Sequence, residues 1–124
     1  MFSDTHFHLP KTAEWAEDFT VTQFFKTLCA NGCFFCLDIG TDHDDLPQRL
    51  SFVKQNEESL EPDEKIKLQN HVHFSAGLWP SPESIVNREA YVEEIKRNTA
   101  EFRKQNEYSL VAIGECGLDH HWNP

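Results

Sequence analysis

His6 and His8 lie two residues apart in Met1–Leu9 (MFSDTHFHL), at the start of a 124-residue chain. On an extended strand, positions i and i+2 share a face, so both imidazoles project together with Asp4 behind them on that side. Two neutral imidazoles on neighbouring rungs can hold one metal ion, and a nearby carboxylate can fix their tautomers. H-x-H is also a common spacing, and a pair of exposed histidines on an edge strand is the plainer reading of it. Glu115 comes much later, between Gly114 and Gly117, where missing side chains leave room for a ligand or a close backbone approach. A solvated loop carboxylate is the ordinary alternative for it.

Other groups have ligand chemistry but weaker placement. Cys29-x-x-x-Cys33-x-x-Cys36 has the spacing of radical iron–sulfur enzymes. A helix ending at Cys29, and a strand that sends Cys33 and Cys36 to opposite faces, would keep those thiolates apart. They read as small buried thiols, and Cys116 reads as a packing residue within reach of a metal. Asp42-His43-Asp44-Asp45 stands at a helix start, where the dipole favours acidic side chains. His71 and His73 repeat the H-x-H spacing at the amino end of their strand, away from the other histidines.

The elements that must position these residues alternate in period. Met1–Leu9 reads as a strand, followed by a loop after Pro10. Thr20-Val-Thr-Gln23 has a capping-box pattern and opens a helix with Val21, Phe24, Phe25 and Leu28 on one stripe, stopped by Gly32. Cys33–Ile39 is an apolar run broken only by Asp38, of the kind that suits a strand buried on both faces. Thr41 and Asp44 suggest the next helix start, with Leu46, Leu50 and Val53 turned inward. Residues 55–64 (QNEESLEPDE), acidic and interrupted by Pro62, read as an exposed loop. His71–Leu78 follows as a third strand. Ser81-Pro82 caps a long helix through Ile85, Val92, Ile95, Thr99 and Phe102 to about Gln105. Leu110–Ile113 begins a fourth strand, with Glu115 at its end. The order βαβαβαβ requires crossover connections and hence a parallel sheet with helices packed outside it. Active sites of such sheets lie at the carboxyl ends of the strands, where His6, His8 and Glu115 all fall.

Composition narrows the function classes. Hydrophobic residues at 39%, with ten Phe and three Trp, support a packed core and exclude wholesale disorder. A formal net charge of −10 and a pI near 5.0 argue against a broad basic nucleic-acid surface. They leave room for an enzyme that meets phosphate through metal ions, because a divalent cation reverses the local sign. No apolar run is long enough to span a membrane and no secretory signal opens the chain. A cytoplasmic location with reduced cysteines is therefore expected.

Asp4-Thr5-His6-Phe7-His8-Leu9 and Ile113-Gly114-Glu115-Cys116-Gly117-Leu118-Asp119, in that order, resemble the TatD family of metal-dependent hydrolases, which are TIM barrels. Ser75-Ala76-Gly77-Leu78-Trp79-Pro80 is similar to that family's G-x-H-P segment, with Trp79 in place of His. His120 and His121 stand where the family has an aromatic pair, as extra ligands or as surface residues of a loop. The resemblance implies a deoxyribonuclease that cleaves phosphodiester bonds with two divalent metal ions, Mg, Mn or Zn. His6 and His8 would hold one ion, Glu115 would bridge both, and Asp4 and Asp119 would support these ligands from behind. DNA is the implied partner. Two further histidines and the catalytic aspartate would come from later strands.

A closed eight-stranded barrel needs roughly 250 residues. Residues 1–124 are thus expected to form a single α/β unit, a partial TIM barrel comprising its first four strands. The missing C-terminal half or a second chain would close it. The alternative function is a catalytically incomplete fragment or binding module that keeps only part of the metal site.

Overall fold

The computed structural model describes residues 1–15 and 20–117. Four parallel strands, β1 (Phe2–Phe7), β2 (Cys33–Asp38), β3 (Val72–Ala76) and β4 (Ser109–Ile113), form one sheet in the order β1-β2-β3-β4. Two helices fill each crossover: α1 (Leu9–Trp15) and α2 (Val21–Ala30), α3 (Asp45–Glu57) and α4 (Pro62–His71), α5 (Pro82–Val86) and α6 (Arg88–Phe102). The architecture is α/β and matches the opening part of a TIM barrel, as the alternation of periods required.

Val72, Phe74 and Ala76 of β3 point into the helical layer, where Phe25, Leu28, Leu46, Val53, Leu68, Phe102 and Tyr108 enclose them. Phe74 lies 5.4 Å from Phe102 and 5.7 Å from Tyr108 between ring centroids. Burying a ring of this size contributes roughly 2–3 kcal/mol. Thr20 caps α2 by accepting the Gln23 amide at 3.2 Å, and Gly32, at φ 70°, terminates the turn after it.

Several sequence expectations are corrected. The segment after Pro10 is helical, because Pro10 occupies the first turn of α1, where its missing N–H costs nothing. The stretch 55–64 is not an exposed loop. It contains the end of α3 and the start of α4, opened by Pro62 and a reciprocal capping box between Glu61 and Glu64. Glu57 there is buried, paired with Lys65 at 3.1 Å and Gln69 at 3.3 Å, and it accepts a short hydrogen bond from the Tyr108 hydroxyl. His71 ends α4, so β3 begins at Val72. The long helix after Ser81 is broken at Asn87 into α5 and α6. Asp44 holds the N-cap position of α3 but makes no side-chain cap. Asp45, the first residue of the helix, instead ties down the preceding loop, its carboxylate accepting the amides of Thr41 at 2.8 Å and Asp42 at 3.1 Å.

Burial on both faces of the sheet does not hold among the described residues. Phe34 of β2 is 50% exposed and Ile113 of β4 69% exposed, and Val111 beside it is open as well. The cysteine geometry also differs from the alternating pattern. β2 gains one residue against β1 between the pairs Phe2–Cys33 and Ser3–Phe35. This bulge puts Cys33 and Cys36 on the same side, and their Sγ atoms approach to 3.0 Å.

Candidate metal centre

The carboxyl ends of β1, β2, β3 and β4 converge, and main-chain hydrogen bonds fix how they do so. The Phe7 carbonyl accepts the Ile39 amide at 2.9 Å, which joins the end of β1 to the end of β2. Gly40 O accepts the Glu115 amide at 2.7 Å, and Leu78 N–H donates to Glu115 O at 2.7 Å. Ala76 O takes the Gly114 amide at 2.9 Å. Glu115 is therefore held by the backbone of two neighbouring strand ends, not left on a free loop. The Ser75 hydroxyl adds to this by accepting Gly40 N–H at 3.0 Å and donating to Gly114 O at 2.5 Å.

Such an approach needs glycine at position 77. A Cβ built there would lie 2.2 Å from Gly114 C, 2.3 Å from Glu115 N and 2.4 Å from Glu115 O, all backbone atoms. The small residue at Gly77 is thus what allows the Glu115 segment to cross so close to β3.

His6, His8 and Glu115 come together at this end, with one ligand atom from each lying within 4.8 Å of the others. His6 Nε2 is 3.9 Å from Glu115 Oε2, and the two imidazole rings stand edge to face at 5.1 Å. His8 lies just beyond β1, and its Nδ1 is 3.1 Å from the Ile39 carbonyl. A carbonyl can only accept, so Nδ1 carries the proton and Nε2 presents the lone pair that a metal would take. The His8 carbonyl in turn receives Thr12 N–H at 2.9 Å and its hydroxyl at 3.0 Å, so α1 anchors the residue from its other side. Asp4 lies next to this group, but its carboxylate accepts the backbone N–H of His6 at 3.0 Å. A bulge between Asp4 and Phe7 interrupts the simple two-residue alternation there.

The support beneath the site includes residues that the sequence did not single out. Asp38, fully buried at the end of β2, accepts the Leu9 amide at 3.0 Å, immediately after His8. Arg49 of α3 reaches it with one arm: Nη1 donates to Asp38 O at 3.0 Å and to Asp38 Oδ2 at 3.1 Å. Its other arm donates to Ser75 O at 2.6 Å and pairs with Asp45 at 3.0 Å. Arg49 thereby links the His8 side of the site to the Ser75–Gly114 side. Burial raises the Asp38 carboxyl above its ordinary range, with the Arg49 charge and the Leu9 amide pulling the other way. The one available signal was Asp38 itself, a lone acid inside an apolar strand.

A cavity of about 340 Å³ opens beside His8, between α1 and α3, with Lys11, Thr41, Gln48, Arg49 and Phe52 on its walls. Asp42, His43 and Asp44 form a second group of potential ligands. His43 there is engaged by Glu94 at 2.8 Å and stacks on Tyr91 at 3.8 Å, while Asp45 caps the loop amides. This arrangement is accounted for by the helix start. His73 stacks on Phe35 at 4.7 Å, distant in the sheet from the strand ends that carry the site. Cys116 is exposed. Leu118, Asp119, His120 and His121 lie outside the described residues. No helix among the described residues is long and apolar enough to cross a membrane.

The donor set fits a divalent cation: two imidazoles and one carboxylate, a mixture suited to Zn or Mn and, through the carboxylate, to Mg. No curated protein and no solved structure matches the chain. A family model described as TatD related DNase matches residues 3–124. Sequence motifs, parallel sheet and family match agree, and the chain belongs to the TatD family of hydrolases.

Proposed function

We propose that His6, His8 and Glu115 bind a divalent cation in a hydrolase that cleaves phosphodiester bonds, with DNA as the substrate class. The observation that carries this reading is the convergence of three ligand atoms within 4.8 Å at the carboxyl ends of the first and fourth strands. A cation held there supplies Lewis acidity toward a water molecule and toward phosphoryl oxygens. The chain's own contribution is orientation. Ile39 O sets the His8 tautomer, Asp4 steadies the His6 backbone, and Gly40 and Leu78 fix the backbone from which the Glu115 carboxylate extends. The site also needs positive charge to meet a polyanion, since the chain carries −10 overall, and a divalent ion provides it locally.

Titration of the 124-residue chain with Mn, Mg and Zn, followed calorimetrically, tests the proposal. One saturable ion is expected, and Glu115→Gln should weaken it at least ~10-fold, since ligand positioning alone is worth that much. Absence of saturable binding, or binding indifferent to Glu115→Gln, refutes the site. A second reading, a binding module without turnover, is favoured by the donor count: the described residues gather three ligands, fewer than the six the family resemblance implies. Measured hydrolysis of a DNA oligonucleotide in the same metal series separates the two. Metal-dependent cleavage that is lost in Glu115→Gln supports the enzyme, and ion binding without cleavage supports the module.

A further inference from the structure

Cys33 opens β2 and Cys36 is the fourth of its six residues, two before Asp38. Both are buried, at 3% and 1% exposure, and their Sγ atoms are 3.0 Å apart. A bonded pair of sulfurs is about 2.05 Å apart, so closure requires about 1 Å of movement. Regular strand geometry would send residues three apart to opposite faces. The β1–β2 bulge cancels that alternation and creates the contact. Neither thiol takes part in the metal centre.

We infer that Cys33 and Cys36 are a redox-active dithiol that a small-molecule disulfide of the glutathione type closes into an intrastrand disulfide. The chemistry balances without any further reactant. The Cys33 thiolate attacks one sulfur of the oxidant, breaking its S–S bond, forming a mixed disulfide and releasing one glutathione thiolate. Cys36, after giving its proton to solvent, attacks Cys33 Sγ and displaces the second glutathione. Two cysteine sulfurs are oxidised, and one glutathione disulfide becomes two thiols. Burial, and the neighbouring Cys33, push the Cys36 thiol well up, which disfavours its thiolate and slows its attack. The small cavity that these thiols share with Cys29, Lys67 and His71 does not admit an oxidant. Entry therefore occurs by local opening around β2, which limits the rate and leaves the equilibrium unchanged. A closed pair would pin the start of the strand whose far end underlies the site.

The test uses the full chain with Cys29→Ser and Cys116→Ser, both outside the buried pair, equilibrated in glutathione buffers of graded ratio. Samples are quenched in acid, unfolded, alkylated and weighed by mass spectrometry. The expected product has lost two hydrogens and takes up no alkylating agent. It should form at a glutathione ratio at least ~10-fold more reducing than in the guanidinium-unfolded chain, because folding holds the sulfurs together. Two alkylated thiols at ratios that close the unfolded chain would overturn the inference, as would a persistent glutathione adduct or a disulfide-linked dimer. If the double variant fails to fold, the wild-type chain is oxidised and the crosslink located by fragmentation. A Cys33–Cys36 link sustains the inference, and any link through Cys29 overturns it.

Discussion

Adding a single methyl group at Gly77 should damage the metal centre although position 77 is no ligand. The methyl carbon of Gly77→Ala would sit 2.2–2.4 Å from three backbone atoms of Gly114 and Glu115. Ordinary carbon contacts are about 3.5–4.0 Å, so relief demands a displacement of at least about 1 Å. No side-chain rotation can provide it, since the obstructing atoms are main chain. The segment is tied to Gly40 and Leu78 at 2.7 Å each, so moving it breaks those bonds or drags β2 and β3 along. A cost of roughly 1–3 kcal/mol in stability is expected for such overpacking. A shift of this size in a ligand's backbone should also reduce Mn affinity ~10–100-fold. Gly114→Ala is the control: it adds the same group one residue from Glu115, yet nothing lies within 4 Å of the new carbon. Calorimetric Mn titration and urea unfolding of both variants read the two effects. Wild-type affinity in Gly77→Ala, or equal losses in both variants, would refute the claim that close backbone crossing positions the carboxylate.

Arg49→Met should destabilise the chain by about 3–5 kcal/mol in chemical denaturation, because it strands the buried Asp38 carboxylate. Arg49→Lys should recover little of that loss, since one ammonium cannot serve Asp38, Ser75 and Asp45 together. His73 should titrate below the ordinary histidine value of about 6.5, because burial, and then His71, disfavour its charged form. The folded pKa being the lower one, the unfolded chain binds more protons between the two values. The contribution of His73 to stability is thus complete above about pH 6.5 and is lost as pH falls toward its folded pKa. Proton NMR titration of the His73 ring gives the value directly, and an apparent pKa at or above 6.5 contradicts the argument.

Much of the frame could be read before any coordinates. Alternating periods gave four strands with helical crossovers, and His6, His8 and Glu115 were expected at one end of a parallel sheet, where they do converge. What escaped reading depends on features with no local signature. The acidic run 55–64 looked solvated because its partners, Lys65, Gln69 and Tyr108, are brought in by folding. The Cys33–Cys36 contact arises from a bulge, and a bulge is set by register against another strand. Arg49 gave no hint of its role, since three of its four acceptors belong to β2 and β3. Trp79, the departure from the family's G-x-H-P segment, donates its amide to Thr41 O at 2.9 Å, so that loop keeps a defined path with the different side chain.

The placement of Glu115 is dictated by backbone amides and carbonyls, which every amino acid except proline supplies in full. The identity of the side chain at that position is consequently separable from the architecture that presents it. Exchange of the carboxylate for an imidazole or a thiol would alter the hardness of the donor set, and with it the choice among cations, without rewriting the path of the chain.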